Sequence, residues 1–306
     1  MIQRLLPFGT LVALFVGLAI ASPHFLTGPN LSTVIRQTTV INIMALGMTL
    51  IIISGGIDLS VGSMVGLTGV CGAMLISNHY PTAVALLGAI LIGGLCGTVN
   101  GTVVVLLRIP PFIATLGALG IYRGITLLIT GGIPIANLTH DFGVLANGNV
   151  LQIPVPLLFL IAVAVVVHLI LKFTRLGRYA YAIGSNVEAA RCSGIRIGLY
   201  VGLIYCLSGA LAGLSGMIEA ARLVTGQPTA GDGYELRVIA AVVIGGGSLN
   251  GGQGTVIGTV IGSMIMGLLS NGCNLLGISP FLQQVIIGTV IVLAVSFDEF
   301  QRRRMA

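Results

Sequence analysis

The chain has 306 residues, 56% hydrophobic and 7% charged, with a mean hydropathy of +1.08, which excludes a soluble globular domain. Its net charge of +6 sits in short loops between apolar runs, where the positive-inside rule accounts for it, so membrane lipid and not nucleic acid is the expected surrounding partner. Apolar windows of about 18 residues or more are long enough to cross the roughly 30 Å hydrocarbon layer as helices. Backbone polar groups in lipid must be satisfied within the segment, which gives an all-α fold class: a polytopic membrane helical bundle, with residues 1–306 forming a single transmembrane domain.

Ten spans are expected, at about 5–21, 33–53, 59–77, 82–107, 111–130, 154–172, 197–222, 233–246, 253–272 and 280–297. Arg4 followed by an apolar run to Ile20 predicts a retained first anchor, because further apolar spans continue behind it. The eighth segment is short for a complete crossing and predicts a tilted, broken or re-entrant helix. The 45 glycines suit close packing between membrane helices.

The polar loop at about 172–196 carries five of the 14 Lys and Arg residues, with Glu188 as its single acid. Placing it in the cytoplasm and counting spans outward also puts Arg4, Arg108 and the Arg302-Arg303-Arg304 tail inside. The loop at about 131–153, with no Lys or Arg and only Asp141 as an acid, then falls outside. Both termini are therefore expected in the cytoplasm. Dropping the eighth span would strand the arginine tail on the wrong side.

An internal repeat is also visible. Gly55-Gly56-Ile57-Asp58-Leu59-Ser60-Val61-Gly62 returns as Gly245-Gly246-Gly247-Ser248-Leu249-Asn250-Gly251-Gly252, both of the form G-G-x-x-L-x-x-G. Each follows an apolar run and precedes a glycine-spaced one, as in transporters built from repeats with interrupted helices. Gly55, Gly56, Gly245 and Gly246 are therefore candidates for helix breaks near a pathway. Asp58 precedes an apolar run, as an N-cap does.

Enzyme chemistry finds no support. The run Gly213-Leu214-Ser215-Gly216-Met217 fails G-x-S-x-G at its last position, and the four histidines are scattered without metal-ligand spacing. No CxxC occurs among the five cysteines. Lys172 is the only lysine and no G-x-x-x-x-G-K-[ST] surrounds it, so this chain carries no ATP site of that type. Catalytic, cofactor-binding and metal-ligating residues are all expected to be none.

Ion-coupled carriage needs an intramembrane acid relay, and only eight acids exist. Glu219 has Arg222 at i,i+3, and Asp232 and Glu235 have Arg237 nearby, so ion pairing explains them. Arg123 is the one unpaired charge expected at membrane depth, a functional candidate by default. Asn42, Asn100, Thr115 and Asn271 are uncharged candidates for a path taken by a neutral solute; interhelical hydrogen bonding is the alternative for each. The reading is a transporter without its own energy source, carrying a loop that can dock one.

The loop pattern Glu188-Ala189-Ala190-x-x-x-Gly194 resembles the EAA motif of binding-protein-dependent ABC importer permeases, although the motif's downstream Ile-x-Leu-Pro portion is absent. The stretches Ile53–Ser63, Pro111–Gly117, Thr174–Asn186, Gln227–Thr259 and Asn271–Ser279 are similar to ribose-type monosaccharide permeases, and the likeness covers about residues 25–297. The resemblance implies a permease pairing with a second subunit, expected as a homodimer, in the bacterial inner membrane. It implies a cytoplasmic ATPase that binds ATP and Mg²⁺ and docks on the EAA helix, and a periplasmic sugar-binding protein that delivers the sugar. A permease of the same superfamily for branched-chain amino acids or autoinducer, and an ion-coupled carrier, are the alternatives.

Overall fold

The computed structural model describes the backbone of residues 2–136 and 138–305, and their side chains except those of 2–6, 140, 294 and 297–305. Arg4 and Arg302, Arg303 and Arg304, which enter the orientation argument, have side chains outside the described set. The helices are α1 (Ile2–Ala21), α2 (Gly28–Ile53), α3 (Val61–Ser77), α4 (Thr82–Leu106), α5 (Pro111–Thr130), α6 (His140–Asn147), α7 (Val155–Phe173), α8 (Arg175–Ser185), α9 (Val187–Cys192), α10 (Ile197–Leu223), α11 (Tyr234–Ile244), α12 (Val256–Leu275) and α13 (Pro280–Met305). A two-residue hairpin, β1 (Asn149–Val150) and β2 (Ile153–Pro154), lies between α6 and α7.

Among the described residues, six helices are long and apolar enough to cross a membrane: α2, α4, α5, α7, α10 and α12. Shorter apolar helices cover Pro7–Ala21, Val61–Ser77 and Pro280–Leu293. Helix length and composition alone do not confirm the expected count of ten spans. With 11 residues, α11 rises only about 16 Å, half of the hydrocarbon layer.

The centre of the bundle is α2, whose residues from Thr38 to Ile53 are all buried. It packs against α7, α8, α10, α11 and α12. A lipid-facing helix needs only one apolar face covered by protein, so α2, apolar all round and enclosed, marks the core. The tightest pair is α4 with α10. Gly93 and Gly97 on α4 face Gly209 and Gly213 on α10, and a Cβ at Gly93 would lie 2.9 Å from the Gly213 backbone. This small-residue spacing of four lets the two backbones touch, where dispersion contacts accumulate in the absence of a hydrophobic drive.

Helices α2 and α11 end just before the two glycine pairs, and they end alike. After α2, Gly55 has φ +82°, and the N–H groups of Gly55 and Gly56 bond to the carbonyls of Ile52 (2.9 Å) and Ile51 (3.0 Å). After α11, Gly246 has φ +86°, and Gly246 and Gly247 bond to Val243 (2.9 Å) and Val242 (2.8 Å). These are two Schellman stops, in which glycine takes the left-handed position at no Cβ cost. The structural register pairs Gly55 with Gly246, one residue off the sequence echo, which had paired it with Gly245. Sequence matching aligned the glycines, whereas the hydrogen bonds align the helix ends.

Candidate coupling surface and pathway elements

The basic loop folds into two short helices. Thr174 caps α8, its Oγ1 accepting from the N–H of Gly177 (3.3 Å), and Gly177, Ala180 and Ile183 form the buried face. Asn186 caps α9, its Oδ1 accepting from Ala189 N–H (2.9 Å). Within α9, Ala190 is buried while Glu188 and Arg191 are exposed and paired at 2.9 Å. Gly194, at φ +79°, closes the helix, with the N–H of Ile195 reaching the Ala190 carbonyl (3.1 Å). The result is a short exposed helical knob displaying Glu188 and Ala189.

That knob is tied to both glycine breaks through α8. The Tyr181 hydroxyl donates to the Gly254 carbonyl (2.8 Å), and burial pushes its phenol above the ordinary pKa, so it remains a donor at neutral pH. Gly252 N–H donates to the Ile53 carbonyl (2.9 Å), joining one break to the other. Gly184 sits on that junction. A Cβ there would run into the Ile53 carbonyl and lie 2.5 Å from Gly252 N. A Cβ at Gly251 would lie 3.0 Å from the Gly55 Cα.

Just above the first break is a polar staple. Asp58 is fully buried and accepts from Ser60 N–H (2.8 Å), Ser60 Oγ (2.6 Å) and Asn100 Nδ2 (3.3 Å). Asn100 Oδ1 in turn accepts from the Tyr122 hydroxyl (2.9 Å). Asp58 is not the N-cap expected for α3. Ser60 holds that position, and the carboxylate instead makes a local turn bond two residues on. Thr115 braces the same segment, accepting from Leu59 N–H (3.1 Å) and donating to Pro111 O (2.9 Å). Asn271 on α12 exchanges hydrogen bonds with Asn30 at the start of α2, at 2.8 and 3.2 Å. Asn42 donates to the Thr38 carbonyl (3.1 Å) but leaves its Oδ1 without a partner.

Arg123 is paired, contrary to the sequence reading. Its Nη2 contacts Asp232 Oδ1 at 2.8 Å, and its Nη1 donates to the carbonyls of Pro228 and Ala230. These acceptors lie more than a hundred residues away, so chain proximity gave no hint of them. The guanidinium holds the segment 225–233, a limb that descends beside α3 before α11 begins. Gly226 pairs with Ile135 through both backbone bonds (2.9 and 3.0 Å) and touches Val70 and Ala73, while Gly231 lies against Gly62. Eight or more residues of α3 separate these contacts, about 12 Å along its axis. Irregular backbone at such depth persists only where its polar groups find partners, which Arg123 and Ile135 provide.

The pair Glu219–Arg222 forms as expected, with Arg222 donating at 2.7 and 3.0 Å and Tyr234 adding a hydroxyl donor at 2.9 Å. Sequence reasoning passed over Arg36 on α2. Its guanidinium reaches the carbonyls of Ala146 and Gly148 and Asn149 Oδ1 (2.8 Å), satisfying the C-terminal end of α6. A charge one turn inside an apolar run was the available signal.

Residues 30–295 match the family described as branched-chain amino acid transport system / permease component. The chain belongs to this permease family. The permease is 45% identical over 296 residues to "Ribose import permease protein RbsC" of Escherichia coli (strain K12), covering 94% of this chain and 92% of that one. It is 43% identical over 299 residues to the protein of the same name from Bacillus subtilis (strain 168), at 97% and 92% coverage. To "D-allose transport system permease protein AlsC" of Escherichia coli (strain K12) it is 37% identical over 296 residues, at 95% and 91%. No solved structure matches it. The permease is thus a multi-pass membrane transport subunit and not an enzyme.

Proposed function

We propose that this permease is the membrane subunit of a ribose-type monosaccharide importer of the bacterial inner membrane. Two copies pair as a homodimer, a separate ATPase supplied with ATP and Mg²⁺ docks on α9, and a sugar-binding protein delivers substrate at the opposite end. One observation carries the substrate class: two bacteria's ribose import permeases share 45% and 43% identity with it over more than nine-tenths of both chains. The D-allose relative is more distant, at 37%. The exposed α9 knob, fixed through α8 to both glycine breaks, supports the docking assignment. Glu188, Ala189, Ala190 and Gly194 then form the coupling surface, and ATP-driven movement of α9 reaches the bundle where the two broken helices meet.

The test is reconstitution of the permease with its ATPase and binding protein in proteoliposomes. ATP-dependent uptake of D-ribose is expected. Uptake of leucine in its place, or uptake that persists without ATP, overturns the reading.

Glu188→Lys probes the docking surface. The exposed Glu188–Arg191 pair contributes at most about 1 kcal/mol, so the variant folds and inserts. Reversing a charge at a docked interface costs about 2–5 kcal/mol, so ATPase co-purification is expected to fall at least tenfold, with uptake falling alongside. Normal recovery of the ATPase would remove α9 from the interface.

A further inference from the structure

We infer that the elbow between α7 and α8 binds the headgroup of an anionic phospholipid, with His168, Lys172 and Arg175 around its phosphate and the acyl chains along the exposed face of α7. On the proposed docking at α9, this headgroup belongs to the cytoplasmic leaflet. The site is independent of the solute that the permease carries.

Thr174 ends α7 and caps α8, so the chain turns from one helix into the next within a single residue. Its Oγ1 donates to the Ile170 carbonyl (2.7 Å), and a Cβ at Gly177 would overlap the carbonyls of Ile170 and Leu171. The first turn of α8 therefore lies against the last turn of α7. Arg178 Nη1 donates to the Phe173 carbonyl (3.3 Å), and Lys172 Nζ lies 5.2 Å from the centroid of the Phe173 ring. Lys172, Phe173 and Arg175 are all exposed.

Three groups at this elbow lack a protein counterpart. Among the described residues, the ion pairs involve Arg123, Arg191 and Arg222, and no hydrogen bond reaches the side chain of His168, Lys172 or Arg175. Arg175 opens α8, whose first turn contains no acid. A helix N-terminus carries partial positive charge, so it repels that guanidinium and attracts an anion. His168 is exposed and lies four residues before Lys172 on the same face of α7, about 6 Å deeper in the span. A lysine can extend to the interface, but an imidazole is too short to do so. On a lipid-facing surface it is costly unless a polar partner comes to it.

A phospholipid fits both halves of this surface. Leu158, Ile161, Val165 and Leu169 expose an apolar stripe on the side of α7 that carries His168 and Lys172. From Leu158 to His168 the helix rises about 15 Å, half of the hydrocarbon layer and so the reach of one leaflet's acyl chains. Phe173, 62% exposed, stands at the level where aromatic rings settle beside headgroups. A water-soluble partner can touch Arg175 but cannot follow the face down to His168. Charge then selects the headgroup. Two cations with no acid beside them favour a net negative headgroup over a zwitterionic one, whose ammonium would meet like charge.

The experiment uses the full-length permease, stripped of lipid in mild detergent, then given phosphatidylglycerol or phosphatidylcholine and read by native mass spectrometry. Phosphatidylglycerol is expected to be retained about tenfold more tightly or better, as two interfacial cations allow. The combined variant His168→Leu, Lys172→Gln, Arg175→Gln is expected to lose that preference. Lys172→Arg with Arg175→Lys keeps the charges and is expected to keep the lipid. Arg108→Gln with Arg196→Gln removes two cations from other loops and is expected to keep it too. Equal retention of both lipids by the parent chain overturns the inference, as does an equal loss in the Arg108 and Arg196 variant. Retention of inorganic phosphate in place of phosphatidylglycerol makes the elbow a free-anion site and overturns it. Phosphatidylglycerol held unchanged by the combined variant, with ATPase co-purification lost, reassigns the cations to a protein contact. Lipid retention is read without sugar or ATP, so failure of D-ribose uptake refutes the importer assignment separately.

Discussion

Gly184→Val is expected to abolish uptake and to lower the thermal stability of the purified permease. The side chain has no direction in which to escape. Its Cβ would overlap the Ile53 carbonyl and crowd the Gly252 N–H, and those two groups are hydrogen-bonded to each other at 2.9 Å. Overpacking against movable side chains costs about 1–3 kcal/mol, and here the obstacles are backbone atoms of two helix ends, so the cost lies at or above the top of that range. Gly194 supplies the contrast. It has φ +79° but open space around its Cβ position, so Gly194→Ala pays only a conformational cost of about 1–2 kcal/mol. The check is a thermal-unfolding series in detergent together with uptake in proteoliposomes. Equal melting temperatures for the two variants, with uptake preserved in Gly184→Val, would dissolve the junction between α8 and the glycine breaks.

On the proposed docking at α9, that junction is the mechanical route into the bundle: a force applied at Glu188 would pass through α9 to α8, which contacts the two breaks at Tyr181 and Gly184. Three segments far apart in the chain, near residues 53–56, 181–184 and 251–254, meet there. None of the three is long, and each is held by backbone contacts that leave little slack.

What the sequence disclosed follows from the range of the interactions involved. Apolar runs set the helices, because each needs only its own residues to be legible. The helix stops at Gly55 and Gly246 and the closing glycine of α9 were equally local. The short eighth segment was visible as a deficit of length, and α11 is short for the reason that its upstream residues form a limb and not a helix. Residues such as Gln227, Pro228 and Gly231 marked that stretch as irregular, but nothing local said that it descends beside α3. Pairings across the chain were hidden. Arg123 looked alone because Asp232 is 109 residues away. Asp58 looked like a cap because its nearest helix was the only partner a linear reading offers, whereas Asn100 comes from α4. The family description names branched-chain amino acid transport, one of the alternatives raised from the sequence, while relatives covered over more than nine-tenths of both chains carry the names of ribose and D-allose permeases.

Arg123→Met is expected to release the limb at 225–233 and to silence transport in a protein that still inserts. Methionine keeps most of the volume of the stem and removes the fork. The carbonyls of Pro228 and Ala230 then lose their donor, and a buried acceptor left without one costs about 1–3 kcal/mol. Asp232 contributes less, because its side chain is 74% exposed and water can replace the guanidinium. The sum, about 2–6 kcal/mol, is enough to unseat a short segment. Arg123→Lys restores the charge without the fork and reaches fewer of the three acceptors, so it is expected to recover only part of the activity. Limited proteolysis reads the limb directly. Cleavage between residues 225 and 233 should rise in Arg123→Met, rise less in Arg123→Lys, and remain absent in the parent chain. If the methionine variant resisted cleavage and transported normally, the guanidinium would be a passenger, and the limb would be held by its Ile135–Gly226 bridge and its contacts with α3 alone.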